Sequence, residues 1–145
     1  MVTDGRIPHA ILLHGPVGTG KFMLARAFAQ YLHCQSPTPD GEPCGKCPSC
    51  LQHQSFNHVD TLYVFPVVKT DKLKEPISDD YMQDFKDFVA VNPLMDFDRW
   101  AQTFDKKNAQ PQIYVYESEK LEQRLAVTTT VSKYKIVLPV SYTHL

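Results

Sequence analysis

Residues 14–22 read HGPVGTGKF, with the apolar run AILLH (residues 10–14) leading in and KFMLARAFAQYLH (residues 21–33) leading out. A short apolar run that ends at a glycine predicts a buried parallel strand. The alanine- and leucine-rich stretch after it predicts a helix, with Leu24, Ala25, Phe28 and Leu32 on its inner face. A strand, a glycine-rich loop and a helix in that order confine the chain to an α/β architecture. Within it, Gly15, Gly18 and Gly20 let backbone amides turn inward, and the helix N-terminus adds partial positive charge. Gly15, Pro16, Val17, Gly18, Thr19, Gly20, Lys21 and Phe22 are therefore the candidate phosphate cradle, with Lys21 reaching the outer phosphates. The plainer alternative is a glycine turn with no ligand.

The pattern G-x-x-x-x-G-K-[ST] holds from Gly15 through Lys21 and fails at Phe22, where a hydroxyl would hold magnesium. Hydrolysis also needs an acid at the end of a later strand. The natural candidate, YKIVL (residues 134–138), runs into Pro139 and Val140 instead. The loop thus admits ATP but leaves Mg²⁺ without either anchor, and efficient hydrolysis is not expected.

Cys34, Cys44, Cys47 and Cys50 are spaced C-x9-C-x2-C-x2-C within a stretch crowded with glycine and proline. Nothing in residues 34–50 is periodic, so something other than a hydrophobic core has to order them. Four thiolates at this spacing suit a closed, structural Zn²⁺ site, which can contribute on the order of 10 kcal/mol to folding. Disulfides fit poorly beside a nucleotide loop in a chain with no export signal. His33, His53 and His58 lie nearby in sequence, but with four sulfurs available they read as surface or packing residues.

Further strands are expected at residues 60–68, broken by Pro66, at residues 112–116 (QIYVY) and at residues 134–138. Ser78 is expected to cap a helix to about Val91 with Tyr81, Phe85, Phe88 and Val89 inward. Asp96 is expected to cap a short helix burying Phe97, Trp100 and Phe104, and a last helix is expected from Ser118 to about Ala126. The alternation predicts a parallel sheet with helices on both faces. The chain has 145 residues, 43% hydrophobic and 21% charged, enough for one domain of ordinary globular composition. No apolar run is long enough to span a membrane. A net charge of -1 with scattered lysines and arginines lacks the electrostatic footprint of a nucleic-acid grip.

RIPHAILLHGPVGTGK, the helix after it, and GEPCGKCPSC together resemble the clamp-loader subunits of the bacterial replicative DNA polymerase, a branch of the AAA+ ATPases. The resemblance covers residues 6–50 closely, continues through VDTLYVFP, and is looser at YESEKLEQRLAV and KYKIVL. It implies a P-loop NTPase domain carrying an inserted zinc-binding loop. Within that branch the missing magnesium anchors resemble the delta-prime type, a rigid stator with weak or absent hydrolysis. The implied setting is a cytoplasmic hetero-oligomer with gamma/tau motor and delta subunits, acting on the sliding clamp and primed DNA, with no membrane involved. His9 and Ala10 match the family's HA pair, and His9 is expected to pack or position. Residues 69–111 depart from the family and read as an insertion that changes partner contacts. Residues 1–138 read as a partial AAA+ domain with the zinc module at 34–50, and residues 139–145 as a foreign tail.

Three rivals remain on the sequence alone. The first is a gamma/tau-type motor subunit that hydrolyses ATP. The second is a zinc-containing, adenylate-kinase-like phosphotransferase, although Arg6, Arg26, Arg99 and Arg124 are few for neutralising a transferring phosphoryl group. The third is a zinc-ordered interaction domain with a vestigial loop.

Overall fold

The computed structural model describes residues 5–104, 110–127 and 132–140. Two parallel strands, β1 (Thr61–Val64) and β2 (Ile136–Pro139), pair in the register Thr61↔Ile136 to Val64↔Pro139. Around them lie α1 (Lys21–His33), α2 (Pro48–Gln54), α3 (Met82–Val91), α4 (Phe97–Gln102) and α5 (Val115–Ala126). Parallel pairing requires a crossover between the strands, and α3, α4 and α5 all lie within it.

The small parallel sheet and its helices agree with the expected class, and the structure alters several details. Residues 10–14 form no strand, and Ile11, Leu12 and Leu13 are exposed, Leu12 by 86%. Apolar residues become a strand only when a neighbouring backbone completes their ladder, and the sheet among the described residues has only β1 and β2. Residues 112–116 are not a strand either. A single antiparallel bridge joins Gln112 to Val67, and α5 then begins at Val115, three residues earlier than expected. Residues 48–50, the end of the stretch read as aperiodic, open α2, with Pro48 at its first position as the fixed φ of proline favours.

Helix α1 has the expected bounds but a different inner face. Phe22, Ala29 and His33 are buried, whereas Leu24 is 60% exposed. With Arg26 half-buried between them, the inward positions run at spacings of four, three and four, the stripe a straight helix lays on a core.

The core is aromatic. Phe65 stacks on Phe85 with centroids 4.1 Å apart, and Trp100 meets Phe65, Phe85, Phe88 and Phe104 edge-on. The Trp100 indole N–H donates to the Pro66 carbonyl at 2.8 Å, so its one polar atom is satisfied inside. Ser78 does not cap the helix as expected. Its buried hydroxyl accepts from the Phe65 amide at 2.9 Å and donates back to the Phe65 carbonyl, serving the backbone where β1 has ended. Asp80 takes the capping role instead, its carboxylate accepting from the Ile77 amide at 2.8 Å. The Ser78 amide in turn donates to the buried Glu117 carboxylate at 2.8 Å, fastening α5 to the start of the α3 segment. Asp96 caps α4 as expected, accepting from the amides of Asp98 and Arg99.

Replacing Trp100 by Ala removes a fully buried ring from the centre of this cluster. A loss of about 3–5 kcal/mol is expected, measured as a lower urea midpoint.

Candidate functional site

The glycine loop turns on residues that tolerate positive φ, with Gly18 at 83° and Gly20, the residue before α1, at 82°. The Lys21 ammonium lies over the loop. It donates to the carbonyls of Gly15 and Pro16, each at 2.7 Å, while the Thr19 hydroxyl donates to the Pro16 carbonyl at 2.8 Å. Lysine and glycines are therefore together at the N-terminus of α1, on the solvent side: Pro16 through Thr19 are exposed. His9 and His14 are exposed as well.

Phe22 is turned into the core. Its ring is 7% exposed and meets Phe85 of α3 and Tyr63 of β1 edge-on, with centroids at 5.8 and 6.3 Å. The position that carries a metal-binding hydroxyl in the complete motif is here a packing position.

The four cysteines converge, their sulfurs lying within 4.8 Å of one another. Two of the spacings are 3.9 Å (Cys44 to Cys50) and 4.0 Å (Cys34 to Cys47). Sulfurs bound tetrahedrally to one zinc at about 2.3 Å stand about 3.8 Å apart, so the set fits such an ion. Cys34 follows the last residue of α1, Cys44 and Cys47 flank the turn at Gly45 (φ 74°), and Cys50 is the third residue of α2. Backbone amides point at the sulfurs: those of Lys46 and Cys47 reach Cys44 at 3.4 and 3.3 Å, and that of Cys44 reaches Cys34 at 3.3 Å. These N–H donors draw the Cys44 thiol down to about 6. At Cys47 burial opposes ionisation, but the amides of Gln35 and Cys50 outweigh it and its pKa is lowered. Burial pushes the Cys50 thiol up to about 11. Four Cys side chains so placed can hold a metal such as zinc.

Beside this site the three histidines are packed together inside, the packing rather than the surface half of the expectation. His33, His53 and His58 are all buried, with His33 and His58 stacked at 4.2 Å and His53 and His58 at 4.6 Å. His33 Nε2–H donates to the Tyr134 carbonyl at 2.7 Å, just before β2, and His33 Nδ1 stands 2.8 Å from His53 Nε2. The Asp60 amide donates to His58 Nδ1 at 3.1 Å, leaving His58 Nε2 buried without a partner. Sequence spacing gave no sign of this cluster. The one available signal was His33 itself, which continues the Phe22–Ala29 stripe of α1.

Burial lowers the pKa of all three. His53 falls to about 3, from desolvation first and then repulsion by His58, His33 and Arg26. The Asp60 charge partly offsets the shift at His33 and His58.

A profile of the family described as "DNA polymerase III, delta subunit" matches residues 1–141. The chain belongs to that family. It is 37% identical over 82 residues to the DNA polymerase III subunit delta' of Pseudomonas aeruginosa, covering 57% of this chain and 24% of that protein. It is 52% identical over 48 residues to the DNA polymerase III subunit gamma/tau of Mycobacterium bovis, covering 32% of this chain and 8% of that one. Protein STICHEL-like 2 of Arabidopsis thaliana is 39% identical over 77 residues, 52% of this chain and 8% of that protein. The chain therefore spans about a quarter or less of the length of these relatives. No solved structure matches. Among the described residues no helix is long and apolar enough to cross a membrane.

Lowered histidine pKa values fix the sign of a pH effect. Above the unfolded value of 6.5 both states are neutral; below it the unfolded chain takes up protons that folded His53 refuses down to about 3. Stability is expected to fall with acidification from pH 6.5, by about 1.4 kcal/mol per pH unit for each proton so excluded. Urea midpoints between pH 7 and 5 should fall less steeply for His53→Phe than for the parent.

Proposed function

We propose that the chain is part of a delta-prime-type subunit of the replicative polymerase clamp loader, a stator whose neighbours hydrolyse ATP. The observation that carries this reading is the buried ring of Phe22 in the aromatic core. A side chain committed to Phe85 and Tyr63 leaves the loop without its magnesium hydroxyl, and Pro139 and Val140 supply no acid at the end of β2. On this reading residues 15–22 are a phosphate cradle retained for shape and contact, and ATP, where it binds, is held with little or no turnover. The four cysteines carry a structural Zn²⁺ that fixes the turn between α1 and α2. Residues 69–111 are an insertion that widens the surface offered to other subunits. The gamma/tau motor and delta subunits are the direct partners in a cytoplasmic hetero-oligomer, with the sliding clamp and primed DNA reached through them.

The second reading is a gamma/tau-type motor, favoured by the higher identity over the shorter stretch shared with that relative. The two part on turnover. The full-length, zinc-loaded protein is expected to hydrolyse ATP negligibly by itself and to join a complex with gamma/tau and delta on gel filtration. Robust turnover by the isolated subunit sinks the stator reading.

Phe22→Thr restores the motif but removes a core ring. It is expected to cost about 3–5 kcal/mol and to leave hydrolysis unrescued, which a melting curve and a phosphate-release assay on one sample would check. Cys47→Ser removes one thiolate and is expected to lower the affinity for zinc, read as earlier release to a chelator.

A further inference from the structure

Beyond the four cysteines, the structure gathers a second donor set that the clamp-loader reading does not use. One ring nitrogen from each of His33, His53 and His58 lies within 4.8 Å of the other two, and all three side chains are more than nine-tenths buried. We propose that these three histidines form a second metal site, a nitrogen-donor centre for a divalent transition-metal ion such as Zn²⁺, beside the sulfur site.

Several features of the cluster are those of a ligand set rather than of packing alone. His33 gives its Nε2 proton to the Tyr134 carbonyl, the outer hydrogen bond that fixes a ligating histidine and turns its other nitrogen inward. That inward Nδ1 faces His53 Nε2 at 2.8 Å and the Thr61 hydroxyl at 3.3 Å. His58 Nε2 is buried with no hydrogen-bond partner, a cost the fold carries unless something binds there. Charge is available too: the buried Asp60 carboxylate acts electrostatically on His33 and His58 and accepts from the Ser132 hydroxyl at 2.6 Å. Three imidazoles with an oxygen beside them suit zinc and its transition-metal neighbours and not magnesium or calcium, which take oxygen ligands.

The 2.8 Å between His33 Nδ1 and His53 Nε2 is a hydrogen-bond distance. Two nitrogens on one zinc at about 2.0–2.1 Å stand about 3.3 Å apart. The ion therefore opens the His33–His53 pair by about half an ångström and displaces the proton between them, which His53 then carries on Nδ1. Because His33 and His58 stack face to face at 4.2 Å, and a metal lies in the plane of each ring that binds it, one of those rings also turns out of the stack for both lone pairs to meet one ion. Ligation through His58 Nε2 places that ring's proton on Nδ1, so the hydrogen bond from the Asp60 amide is given up. These adjustments make the site weaker than the sulfur site. They also link the two, because Cys34 follows His33 directly and His53 lies one turn after Cys50 on α2.

The test uses the untagged full-length protein from zinc-supplemented growth. Native mass spectrometry is expected to count two zinc ions per chain for the parent and one for His58→Gln and for His53→Gln. Zinc X-ray absorption of the parent is expected to show nitrogen at about 2.0–2.1 Å together with sulfur at about 2.3 Å, and sulfur alone in the variants. One ion per parent chain with sulfur-only scattering overturns the proposal, and so does a second ion that persists in both variants. Should the variants fail to fold, the parent's scattering decides by itself.

Discussion

Helix α1 is anchored at its two ends by different chemistry, and both candidate sites depend on that anchoring. At the first turn Phe22 enters the aromatic cluster of Tyr63 and Phe85, which holds the glycine loop on the solvent side of the sheet. At the last turn His33 is bound to the Tyr134 carbonyl and stacked on His58, which places Cys34 where the sulfurs converge. Between the two ends Arg26 lies over the Phe56 ring at 3.8 Å and donates to the His53 carbonyl, tying the middle of α1 to the end of α2. A shift of the helix along its axis would disturb loop and cysteines together.

The crossover between β1 and β2 builds the other wall of this arrangement. Phe65, Phe85 and Trp100 come from the end of β1, from α3 and from α4, and none of these short elements could bury its apolar face alone. Ser78 supplies the polar closure: one hydroxyl satisfies both backbone groups of Phe65, and its own amide is met by Glu117. The crossover is therefore part of the core rather than an appended loop, and Phe22 is its point of contact with α1.

What was legible in the sequence follows from how local each signal is. Helix α4 could be read from its cap, Asp96 before Phe97 and Trp100, and α3 from its apolar spacing, whereas α1 was legible in its bounds but not in its inner face. The cysteine set was legible because a metal site of this kind depends on a tight turn. Strands were half legible: β1 and β2 form at the expected residues 60–68 and 134–138, and the other two expected strands do not form. AILLH and QIYVY carry strand composition, but a strand exists only through a neighbour that its own sequence does not specify. Residues 112–116 show the competition directly: one bridge to Val67 forms, and the backbone then enters α5. The histidine cluster was illegible for a related reason, since its members come from α1, α2 and the approach to β1 and meet only in the fold.

Phe22 also explains why the departure from the phosphate-loop pattern is stable. The residue after Lys21 opens the second position of α1, and its direction is set by the helix; it cannot face both the loop and the core. In a chain where Phe85 of the crossover and Tyr63 of β1 meet that position, an apolar ring gains burial that a hydroxyl could not, and a buried hydroxyl without a partner would itself be costly. Metal binding and core packing therefore compete for one side chain. Here packing has it, and the loop is left with its lysine and its backbone amides.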